Sequence, residues 1–313
     1  MLIFLDEYGK YSLVDSWLAI LALCAFDIKW SSNDVAINVT PVPMLPFFTF
    51  VIASVLSLIL GHIATVFNRS ALAAADTPVR SLSRELRDEE RLILFRVMPS
   101  GEAFLLLGLS LFTALALPVA CILTSIEYEV SGVLAELLLT EEEMNLSYSL
   151  VSLGHFLTAG FEASSGLRAV QVIFFAFTLA IPWALSAVLL ALLLLPLSKL
   201  SQSRLLKVCH VLDAWAAFDV FVVAVVVANF EFWLLTQFLM YHDNIATACN
   251  WVHENLDSEC LAMQCHVRPG FILMALAGAA SYATPKMFFH WEGLVEDREL
   301  STSDSEEESL QKL

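Results

Sequence analysis

The chain has 313 residues, 58% of them hydrophobic and only 16% charged, with a mean hydropathy of +0.73. Soluble domains carry about a quarter charged residues, so this balance excludes a soluble enzyme or a disordered chain and assigns the apolar surplus to lipid. The formal net charge of −17 excludes a nucleic-acid binder, because phosphate recognition needs a basic face.

A helix crossing the hydrocarbon needs about 20 mostly apolar residues. Six segments are read as spans: 16–30, 46–67, 104–123, 170–197, 211–240 and 271–289. The first is the shortest, its strictly apolar part being 17–26, and the fourth carries Pro182, which predicts a kink or tilt. Asp6 and Glu7 stand where a signal peptide would be basic, so no cleavable leader is expected. Six spans place both termini on one side. Thirteen of the 16 Lys and Arg fall in the termini and even-numbered loops, leaving Lys29, Arg168 and Arg268 for the other side. Basic residues stay cytoplasmic, so both termini are expected there, in an integral, multi-pass protein.

The opposite side is acidic, with Glu127, Glu129 and Glu136 among the acids after the third span. Two sequons, at Asn38 and Asn145, fall on that side and are candidates for glycosylation, while Asn68 falls on the other and is expected to be silent. Text around the first and fifth spans repeats. Leu13-Val14-Asp15-Ser16-Trp17 parallels Val211-Leu212-Asp213-Ala214-Trp215, and each following span begins with proline and aromatic residues, Pro46-Phe47-Phe48 and Pro269-Gly270-Phe271. The expected organisation is a first transmembrane hairpin over 1–69, a linker over 70–102, a four-helix unit over 103–291 and an acidic, disordered tail over 292–313. The linker reads as an amphipathic or a solvated helix after Thr77-Pro78, which suits a helix start. On this reading the first hairpin is a partial repeat, either a reduced unit or one whose opening lies upstream of Met1.

Trp215-Ala216-Ala217-Phe218-Asp219-Val220-Phe221 resembles the tryptophan–x–x–x–acid–valine–phenylalanine signature of the paraquat-inducible protein A family. The resemblance covers the last two spans well and the third and fourth loosely, and it carries over Trp215 and Asp219 as motif positions. The first span keeps Asp15 and Trp17 but has Leu21 where the motif acid would stand. Cysteine-rich zinc ribbons usual in bacterial members are not found in this sequence. The resemblance implies a tetraspanin-like four-helix unit in a membrane partner of lipid transport, working beside proteins with mammalian-cell-entry (MCE) domains.

Asp219 is the leading site candidate, because an ionisable residue within a span is a functional hypothesis by default. As one helical turn separates it from Trp215, the two are expected to share a face. The competing reading makes Asp219 an interfacial anchor paired with Arg204 or Lys207. With Trp215 and Asp219, four more residues are candidates for a transport path: His62 and Gln171, which lie within spans and equally suit bonds to neighbouring helices, and Asn229 and Glu231, which suit the mouth of a cavity or, near Trp233, the membrane interface. Among Cys249, Cys260 and Cys265 one disulfide is expected in an oxidising lumen, and their spacing matches no metal-ligand pattern. Ser303 and Ser305, each with Glu three residues on, are candidates for acid-directed phosphorylation in the tail. No cofactor is expected.

These features predict an all-α polytopic membrane protein of about six helices. Its expected role is non-enzymatic handling or transfer of lipid. A small-solute or ion transporter and a tetraspanin-like scaffold are the alternatives.

Overall fold

The computed structural model describes residues 9–25, 28–32, 35–39, 45–75, 100–133, 135, 144–159, 165–240, 254, 260 and 262–311. A 3-10 turn, Gly9–Leu13, leads into helix α1, Val14–Ala25, followed by the antiparallel strands β1, Ile28–Ser32, and β2, Val35–Val39. Helix α2 is Leu45–Ala75 and α3 is Ser100–Ile122. Strands β3, Ile126–Ser131, and β4, Asn145–Tyr148, precede the short helix α4, Leu150–Ala159. Helix α5, Ser165–Phe175, continues through a π-helical turn, Ala176–Ala180, into α6, Ile181–Leu194. Helices α7, Lys199–Trp215, and α8, Phe218–Met240, come next, then β5, Ala262–Val267, and α9, Pro269–Gln311.

Among the described residues five helical stretches are long and apolar enough to cross a membrane, which makes this a helical, multi-pass membrane protein. The sixth expected span differs. Helix α1 has 12 residues, about 18 Å at 1.5 Å per residue, against a hydrocarbon core of about 30 Å. Its Trp17, Ile20, Leu21 and Cys24 are fully buried, so its apolar surface goes into protein. The helix packs chiefly against α8. Helix α2 is the converse, with 11% of its apolar stretch buried against 39–44% in the other four.

Helix α3 makes its main contact with α9 and packs also on α6, while α8 lies against α9 and α1. The core divides into two clusters. One, toward the strands, joins Trp17, Phe174 and Phe221 to Tyr128 and Met274. The other joins Ala103, Leu106, Leu189, Cys209 and Phe288 at the far end.

Strands β4-β3-β5 form a small antiparallel sheet across one end of the bundle, an addition to the expected all-α fold. Ile126-Glu127-Tyr128-Glu129-Val130 alternates apolar and acidic residues, the period of a half-buried strand. Ile126, Tyr128 and Val130 are buried accordingly. Arg268 pairs with Glu127 and His266 with Glu129 on the other face. Bonding to Glu127 raises the pKa of Arg268 further above its ordinary value.

Two span boundaries also differ. The stretch 211–240 is not one helix, since α7 ends at Trp215 and α8 begins at Phe218, with Ala216 extended at φ −68° and ψ 115°. The acidic segment expected to be disordered from 292 continues α9 as helix to Gln311. Glu, Leu and Gln favour helix, and extending an existing helix avoids the cost of nucleation. The expected linker over 70–102 falls mostly on 76–99, outside the described residues.

Candidate functional site

The helix break places Trp215 at the end of α7 and Asp219 in the first turn of α8, so they do not share one helical face. Each loose end at the break finds a partner. The Ala217 N–H donates to the Phe177 carbonyl of the π-helical turn at 3.0 Å, so the two irregular segments satisfy one another. Pro182 stands just past that turn, near the start of α6. A wider turn relieves the clash of a proline ring with the preceding turn. Trp215 stacks on Phe177 with centroids 5.6 Å apart.

The buried Lys10 of the 3-10 turn reaches this junction from 206 residues away and donates to the Ala216 carbonyl at 3.2 Å. Its Nζ lies 2.8 Å from Asp219 Oδ2, which also accepts from the Tyr11 hydroxyl at 3.3 Å. The electrostatics favour this arrangement. Asp219 sits at the positive end of the α8 dipole, and the Lys10 ammonium meets the carbonyl end of α7. Arg204 and Lys207, expected as partners of Asp219, are exposed on α7. The break removes any continuous helical face linking them to Asp219, and Lys10 takes the place by tertiary contact.

A second pair extends the network. Lys286 of α9 lies 3.6 Å from Asp213, and both Lys10 and Lys286 approach the Tyr282 ring, at 5.5 and 5.8 Å. Lys10, Tyr11, Tyr282, Lys286 and Phe177 were not legible as site residues. The available signal was a single lysine just ahead of the first apolar run.

Between α1 and α8, toward the sheet, lies a cavity of about 520 Å³. It is lined by Asp15, Leu18, Ala19 and Ala22 on one wall and by Ala228, Glu231, Phe232 and Leu234 on the other. Asp15, Leu18, Ala19 and Ala22 recur at three- and four-residue spacing, which puts them on one face of α1. Small alanines on both walls leave the space open.

The other expected residues scatter. His62 on α2 is half-buried, its ring edge-on to Trp215 at 6.4 Å. Gln171 donates to the Gly154 carbonyl at 2.9 Å, tying α5 to α4. Asn229 is half-buried on α8. Trp17 is buried edge-on to Phe174 at 5.2 Å. The matched texts around Asp15 and Asp213 fall in different settings, the first turn of α1 and the last turn of α7. Cys260 is disulfide-bonded and Cys265 is a free, buried thiol, while Cys249 lies outside the described residues. Burial raises the Cys265 pKa to about 12. Asn145 is exposed at the start of β4, Asn38 lies in β2, and Ser303 and Ser305 fall in the last part of α9.

The fold and the buried charge pair define a multi-pass helical membrane protein with a broken helix at its centre. Residues 159–242, which take in α5 through α8 and hence the π-helical turn and the break, match the model of the paraquat-inducible protein A family. Comparisons with curated proteins and with solved structures gave no match.

Proposed function

We propose that this protein handles lipid within its membrane, receiving acyl chains in the groove between α1 and α8 and catalysing no reaction. The groove carries this reading: six of its eight described lining residues are apolar, and its volume of about 520 Å³ falls in the range of small-ligand sites. The matched family segment supports it, since α8 supplies one wall of the groove. By the same resemblance, the proposal includes an MCE-type partner in lipid transfer; by the charge asymmetry it includes both termini on the cytoplasmic side, the short α1 running beside α8 from the Lys10–Asp219 pair to the sheet. The test is native mass spectrometry of protein purified in mild detergent, comparing wild type with Ala22→Trp and Ala228→Trp. Wild type should carry lipid adducts that the tryptophan variants lose. Equal adducts in all three would remove the groove from the proposal.

The buried Lys10–Asp219 pair at a helix break favours a second reading, because broken helices form ion and substrate sites in transporters. Proton- or cation-dependent uptake into vesicles that Asp219→Asn abolishes, with no bound lipid, would select the transporter.

A further inference from the structure

We infer that the groove selects lipids whose head group bears an ammonium with N–H donors, an inference that rests on the lipid-handling reading above. Among the described residues the lining holds two carboxylates, Asp15 and Glu231, and no cation. Four acids of the bundle and sheet have partners: Asp219 has Lys10, Asp213 has Lys286, Glu127 has Arg268 and Glu129 has His266. Among the described residues no ion pair or hydrogen bond involves Asp15 or Glu231. Both are exposed on the groove walls, where a cationic group lying along the apolar surface can reach them and bond them.

The placement of the two acids follows from the contacts that hold α1 to α8. Lys10 meets Asp219 at one end, while at the other Tyr128 bonds the Leu21 carbonyl at 3.5 Å and packs edge-on to Phe232. Asp15, in the first turn of α1, therefore stands nearer the Lys10–Asp219 end of the groove and Glu231, next to Phe232, nearer the sheet. Apolar Leu18, Phe232 and Leu234 supply surface for a chain between and beside them. A primary ammonium placed there forms charge-assisted hydrogen bonds to a carboxylate. A trimethylammonium has the charge without the donors, and an anionic glycerol head group meets repulsion alone. Charge complementarity thus ranks ethanolamine above choline above glycerol head groups.

The full-length protein is incubated with vesicles of equimolar phosphatidylethanolamine, phosphatidylcholine and phosphatidylglycerol of identical chains, re-isolated, and its lipid quantified by mass spectrometry. Phosphatidylethanolamine should exceed phosphatidylglycerol by about fivefold, the ratio an ion pair at a half-open site provides. In the double variant Asp15→Asn/Glu231→Gln that ratio should fall toward one while the melting temperature holds. The single variant Glu231→Gln should fall between. Phosphatidylglycerol bound as well as phosphatidylethanolamine by wild type, or an unchanged ratio in the double variant, overturns the head-group inference and leaves the groove reading standing. Displacement of lipid by free ethanolamine overturns it too, because the site would then take a soluble amine. Absence of any retained lipid in wild type sinks both.

Discussion

At the scale of single residues, the exchange of Arg204 and Lys207 for Lys10 as the partner of Asp219 has energetic consequences. Both members of the pair are largely removed from solvent, at 7% and 13% exposure. Removing one partner of a buried pair costs about 3–5 kcal/mol, because the other charge is left uncompensated. Lys10→Met is therefore expected to lower thermal stability by that order, and Lys10→Met/Asp219→Asn by less than the sum of the single changes. Additive losses in unfolding experiments would show that the two do not act as a pair. Asp219→Asn keeps an acceptor for the ammonium, so it should insert normally, and lipid retention measured beside stability shows whether the charge serves transport or structure. Cys265 gives a separate reading. With its pKa raised to about 12 by burial, it stays a neutral thiol at pH 7–9, and the thiolate is the reactive form. Labelling by a membrane-impermeant maleimide should be slow in the folded protein and rapid after unfolding in dodecyl sulfate. Rapid labelling of the native form at pH 7 would contradict its burial.

At the scale of elements, the break between α7 and α8 depends on the π-helical turn opposite. Ala217→Pro deletes the one N–H that reaches the Phe177 carbonyl. Ala216 already holds the extended conformation that a residue before proline prefers. The expected loss is about 1–3 kcal/mol for an unmatched buried carbonyl, read by thermal unfolding. No loss would mean that water or another donor replaces the bond. The start of α9 is held by close approach: a Cβ on Gly270 would stand 2.3 Å from the Thr124 carbonyl oxygen. Backbone cannot swing aside as a flexible side chain can, so Gly270→Ala should destabilise by about 1–3 kcal/mol. Pro182 marked the irregular stretch of the fourth span in advance. The break at Ala216–Ala217 carried no such mark, since alanine is the best helix former, and what opens the helix there is a set of partners from distant segments.

At the scale of the whole molecule, the sheet lies at one end of the bundle and the α6–α7 turn at the other, so a topology test needs one probe at each. Cysteines introduced at exposed Gln264 in β5 and exposed Ser203 in α7, in a background lacking other reactive thiols, should label from opposite sides. Labelling of both from one side would refute the proposed orientation. The charge asymmetry predicts that the Gln264 side is luminal. A glycan at Asn145 that is lost in Asn145→Gln would support that side.

Membrane residence and most of the span positions could be read from the sequence, because each depends on local composition. The alternation at Ile126–Val130 belongs to the same class of signal, and it became meaningful once β5 was seen to pair with it. The length of α1 as a membrane element, the two faces of the groove and the partner of Asp219 belonged to the tertiary structure. Lys10 and Asp219 are 209 residues apart, and nothing in either neighbourhood encodes their meeting. A buried charge takes whichever counter-ion the packing of distant helices brings within reach, and periodicity along one helix carries no information about that choice.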